Sequence, residues 1–117
     1  MPFRSFAELE QFKLIVKDAD AKGLLGAAQA FDSNGQPVCW MGHVGAAMGV
    51  KAYAPGMVMD GKFIEARCGE AWGLNNLEVK SITVANDGEQ AVPGFMGGGQ
   101  ENRVERVCAA ADEIGVG

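Results

Sequence analysis

Between residues 5 and 23, Phe6, Leu9, Phe12, Val16 and Ala19 recur every three or four positions, with Ile15 widening the stripe. That spacing predicts an amphipathic helix, since a turn of about 3.6 residues brings such positions onto one face. Ser5 stands where an N-cap belongs, Glu8 completes an S-x-x-E capping box, and Gly23 supplies the stop. Glu10, Lys13, Lys17 and Asp20 fall on the other face and read as solvated surface.

The helical period then breaks. "GAAQAFDSNGQPV" reads as extended chain around a turn at Asp32, Ser33, Asn34 and Gly35, which predicts a short β-hairpin lying against helices. "PVCWMGHVGAAMG" restarts a helix, with Pro37 suited to its first turn. Gly42, Gly45, Ala46 and Gly49 form a small-residue face, while Trp40, Val44, Ala47 and Met48 supply the large faces. Each glycine costs a helix about 1 kcal/mol relative to alanine. The compensating expectation is a neighbour pressed close to the Gly42, Gly45 and Gly49 side.

A loop is expected around Pro55-Gly56, followed by Asp60 as the N-cap of a helix carrying Phe63, Ile64, Arg67, Cys68, Ala71 and Trp72 and ending at Gly73. "NNLEVKSITVANDG" suits either a short β-rich stretch through Leu77, Val79, Ile82 and Val84 or one or two helical turns, with Asn86-Asp87-Gly88 as turn or cap. Residues 88–100 read as a flexible Gly/Pro loop. A last helix buries Val104, Val107, Cys108, Ala111 and Ile114 and ends at Gly115. The expected fold is mainly α: one domain over residues 1–117, a compact bundle of about four main helices with a short β-hairpin.

Composition narrows the function classes. The chain has 117 residues and a formal net charge of −5. Its basic residues are scattered, which argues against direct binding of nucleic acid. Cys39, Cys68 and Cys108 are odd in number and widely spaced, unlike a disulfide framework. "MPFRSFAELEQF" has charges breaking each apolar run, so neither a signal peptide nor a membrane span is expected, and a reducing cytoplasmic setting follows.

The order of motifs resembles a small uncharacterised family of actinobacteria and their phages, a domain of unknown function. Its pattern has an Asp-x-x-Gly-x-Pro turn, a helix opening with Cys-x-x-Gly, a Ser-Ile-x-x-x-Asn-Asp segment and a final helix. Here these stand at Asp32–Pro37, Cys39–Gly42, Ser81–Asp87 and in "ENRVERVCAAADEIG". The family usually carries a Trp where this chain has Ala85, the stretch 88–100 looks like an insertion, and His43 lies outside the pattern. The resemblance implies architecture and a phage or prophage setting, with no chemistry attached.

Three kinds of site are conceivable. Cys39 and His43, at i and i+4, would share a helix face, and Asn86 or Asp87 could orient the imidazole of a cysteine nucleophile. The same pair with Cys68 and Cys108 would make a Cys₃His zinc set, although Cys68 and Cys108 are isolated and helix stripes already explain them. "GFMGGGQ" lacks the Gly-Lys-Ser/Thr of a phosphate loop, but Phe95 and Met96 among glycines suit an anchor for a protein partner. Asp18/Asp20 and Glu65/Glu70 read as surface charge. The expectation is a small acidic accessory protein without cofactor or metal that binds a host protein, one form being inhibition of a host enzyme or defence complex. Homo-oligomerisation stays open, and the alternatives are a cysteine-dependent enzyme and a small metal- or ligand-binding domain.

Overall fold

A computed structural model describes residues 2–51, 53–54, 57–58, 61–88 and 102–117. Five helices appear among them: α1 (Phe6–Ala21), α2 (Trp40–Ala47), α3 (Gly61–Trp72), α4 (Asn76–Asp87) and α5 (Arg103–Ile114). Between α2 and α3, β1 (Tyr53–Ala54) and β2 (Met57–Val58) pair antiparallel over two residues each. None of the described helices is long and apolar enough to cross a membrane. The Asp60 cap, the Pro55-Gly56 turn and the loop after Gly88, with Phe95 and Met96, lie outside the described residues.

The α1 stripe buries Leu9, Phe12, Val16 and Ala19. Phe6, expected in that stripe, stands exposed at the first helical position. The Ser5 side chain accepts from the Glu8 amide, but the Glu8 carboxylate turns to Arg4 rather than closing the box. Arg4 also donates to the Ala71 carbonyl at 2.6 Å, tying the start of α1 to the end of α3. Opposite charge therefore wins over the second half of the capping box, because a bidentate guanidinium–carboxylate contact is the stronger bond.

The segment of ambiguous period forms α4. Asn75 accepts from the Glu78 amide and the Glu78 carboxylate accepts from the Asn75 amide, both at 2.8 Å, a complete capping box. Val79, Ile82 and Asn86 are its buried positions, at helical spacing.

The hairpin expected over residues 26–38 does not form. Phe31 and Pro37 make one isolated antiparallel bridge around the Asp32–Gln36 turn. Further backbone bonds cross the segment, such as Val38 N–H to Ala30 O at 2.8 Å and Gly26 N–H to Val38 O at 2.7 Å, but they do not build a ladder. Ala28 adopts a left-handed φ of 76°, which breaks the extended run, and Pro37 has no N–H to give.

Aromatic rings occupy the centre. Phe12 packs on Phe3 at 5.0 Å, Trp40 at 5.7 Å and Trp72 at 5.5 Å between centroids. The two tryptophans thus share one core through a ring of α1. Both indole N–H groups are satisfied there, Trp40 by Thr83 Oγ1 and Trp72 by Val44 O. Leu9, Val16, Val44, Ile64, Cys68, Val79, Ile82, Val107 and Ala111 surround these rings.

Candidate functional site

Helix α2 and its flanking residues carry both the candidate nucleophile Cys39 and the small-residue face. Its eight residues include two glycines, too weak a sequence to stay helical alone. Its ends are held by other elements. At the N-terminus the Trp40 amide donates to Asn86 Oδ1 of α4 at 3.3 Å, a cap supplied from 46 positions away. At the C-terminus Trp72 Nε1 of α3 donates to Val44 O at 3.1 Å, taking up a carbonyl that the helix leaves open.

The small face is pressed as expected at two of its three glycines. A methyl on Gly42 would fall onto the Ala30 carbonyl, and one on Gly45 would lie 2.5 Å from Cys68 Sγ. Gly49 differs: it has open space around it and a φ of 83°, so it serves the turn that ends α2.

Cys39 is the N-cap residue of α2 and is buried. Burial pushes its thiol up to about 11, and the amides of Gly42 and Met41 pull the other way without reversing it. A cysteine at a helix start can be acidified by the helix, but here loss of water outweighs the amides, so the group is a neutral thiol near pH 7. His43 Nε2 lies 3.1 Å from the Leu24 carbonyl. A carbonyl only accepts, so Nε2 carries the proton and anchors the start of the α1–α2 connection.

Asn86 and Asp87 join in a different structure from the one their motif suggested. Asn86 is 0% exposed and both polar atoms of its side chain are bonded. Its Oδ1 caps α2, its Nδ2 donates to Gly26 O at 3.0 Å and to Asp87 Oδ1 at 2.8 Å, and its backbone O accepts from Arg103 Nε at 2.7 Å. Asp87 Oδ1 also accepts from the Ala28 amide. Arg106 reaches over the same helix end and donates to Ala85 O at 2.8 Å. The pair is therefore a junction of α2, α4, α5 and the 26–28 segment, and its hydrogen bonds go to backbone and Arg103 rather than to the imidazole.

Arg103, 3% exposed, is the residue that sequence reasoning passed over. Burial and the nearby Arg106 lower its pKa, while Asp87 and Asp20 oppose that. Its position was marked: it stands four residues before Val107, in register with the buried stripe of α5.

The remaining thiols stay in the helix stripes. Cys68 is buried, donates weakly to Met41 O at 3.5 Å and has its pKa pushed up to about 12 by burial. Cys108 is buried on α5 and its pKa is also raised by burial. No group of three His, Cys, Asp or Glu side chains among the described residues is placed to hold a metal ion.

On the other side of His43 the surface opens. A groove of about 640 Å³ runs between α1 and α2, lined by the apolar Ile15, Ala19, Pro37, Ala46 and Ala47 and the polar Gln11, Asp18, Lys22 and His43. Leu14 and Leu24 flank it at 63% and 58% exposure. A smaller hollow of about 350 Å³ continues past Pro37 and Ala46 to Phe31, Asn34 and Gly35. Neither leucine was singled out from sequence, yet Leu14 sits off the Leu9–Phe12–Val16–Ala19 phase, the signal of an apolar residue facing out.

The fold and this surface define a small helical domain with buried thiols and an open apolar groove. No family model, curated protein or solved structure matches the chain.

Proposed function

We propose that this chain is a non-catalytic protein-binding domain, a small acidic phage- or prophage-type accessory protein that grips a host protein in the cytoplasm. The observation that carries the reading is the α1–α2 groove, where Leu14 and Leu24 stand exposed beside further apolar lining. Exposed leucines at the edge of a concave apolar surface lose water when a partner side chain enters, at about 25 cal/mol per Å² buried. The family resemblance supplies the phage setting, and inhibition of a host enzyme or defence complex is one form of such binding. A thiolate reaction at Cys39 has the burial of its sulfur against it.

The test is capture from lysate with immobilised wild type and with the Leu14→Asp/Leu24→Asp double variant. Both side chains are exposed, so each change should alter stability by no more than about 0.5 kcal/mol. The expected result is one stoichiometric protein on the wild type that the folded double variant fails to hold. Equal retention by both, or none by the wild type, would refute the reading.

A further inference from the structure

The turn at the rim of the smaller hollow holds a reactive dipeptide. Of the five asparagines in the chain, Asn34 alone precedes a glycine. Asn34 is exposed, whereas Asn86 is buried and Asn75 is engaged as a helix cap. With no side chain on Gly35, its backbone nitrogen is open to approach by the Asn34 side-chain carbonyl carbon.

The same turn restrains that approach, through Asp32. The Gly35 amide donates to Asp32 O at 3.0 Å, and Asp32 N–H donates to Gln36 O at 2.9 Å. Asp32 Oδ1 accepts from the Asn34 amide at 2.8 Å and from the Gln36 amide at 3.0 Å. Gly35 is held at a φ of 77°. The nucleophile's proton is thus engaged, and the chain around it is fixed by one aspartate.

We propose that Asn34-Gly35 is a site of spontaneous covalent modification, deamidation through a succinimide, gated by the hydrogen bonds of Asp32. The Gly35 nitrogen loses its proton to water and bonds to Asn34 Cγ. The Cγ–Nδ2 bond breaks and ammonia leaves, taking up a proton in exchange. Water then opens the ring. Attack at Cγ gives aspartate, and attack at the main-chain carbonyl carbon gives isoaspartate, whose backbone runs through the side chain and is longer by a methylene. Either product adds a negative charge to the wall of the hollow, and isoaspartate also lengthens the loop that the Phe31–Pro37 bridge closes. The inference stands whether or not the groove binds a protein.

Incubation at mildly alkaline pH, followed by peptide mass mapping and isoaspartate-specific methylation, reads the rate at each asparagine. Three results are expected. Asn34 converts first in the native protein, and more slowly than in urea. Asp32→Ala, checked for native circular dichroism, removes two side-chain hydrogen bonds and speeds the native reaction by about five-fold or more, the weight of at least one of them. Asp32→Asn, which keeps a carbonyl acceptor, stays close to the wild-type rate. An intact Asn34 while another asparagine converts would overturn the site. A native rate equal to that in urea, or Asp32→Asn as fast as Asp32→Ala, would overturn the gate. The wild-type comparison with urea needs no variant, so it decides the gate even where Asp32→Ala misfolds.

Discussion

Asn86 shows how much one amide can hold. Its side chain spans α2 and the 26–28 segment from a fully buried position while its backbone carbonyl meets α5, so loss of the side chain leaves a helix N-terminus and a carbonyl unpaired. Asn86→Ala is expected to cost about 2–3 kcal/mol, as the lower midpoint of urea unfolding will read out. The thiols give a second outcome. Cys39 is raised to about 11 and Cys68 to about 12, from an ordinary value of 9.0. The folded chain keeps protons that the unfolded chain releases. Their contribution is fully present below pH 9 and falls away as pH rises through 11, by about 3 kcal/mol for Cys39 alone. Unfolding free energy should drop steeply over that window, and a Cys39→Ala/Cys68→Ala variant should flatten the slope. Alkylation at pH 7–8 should stay slow until the chain unfolds.

Among the elements, α2 is the one whose stability comes from outside itself. Alanine improves helix propensity by about 1 kcal/mol at either glycine, but overpacking costs about 1–3 kcal/mol. The obstacle at Gly42 is a backbone carbonyl, which cannot move aside, and at Gly45 it is the Cys68 side chain, which can rotate. Gly42→Ala should therefore lower the melting temperature clearly, and Gly45→Ala by much less. The close neighbour was legible in the sequence because a short helix rarely keeps several glycines without one. The path of 75–88 was less so. Its β-branched residues suit strands, yet Asn75-x-x-Glu78 is a capping signature that favoured the helix. The hairpin failed for a reason hidden from pattern: the left-handed turn at Ala28 carries no residue-type signal. The site was harder still, since Asn86 and Trp40 meet only through long-range packing of α2 on α4.

At the scale of the whole molecule, Phe12 joins Phe3, Trp40 and Trp72 and so links the N-terminal segment, α2 and α3. Phe12→Ala should remove about 3–5 kcal/mol and shift the tryptophan emission to the red as water reaches both indoles. Lys13 reinforces the same helix from its surface side, bridging Glu10 and Asp112 at 2.9 Å and so fastening α1 to α5. The two ends of the chain meet beside this frame. Phe3 and Val116 pair in parallel, with Phe3 N–H on Gly115 O at 3.0 Å and Gly117 N–H on Phe3 O at 3.1 Å. Parallel neighbours send their ends out in opposite directions. Tension applied between the termini then loads both bonds together in shear, so the clasp ruptures as a unit before the force reaches the helices.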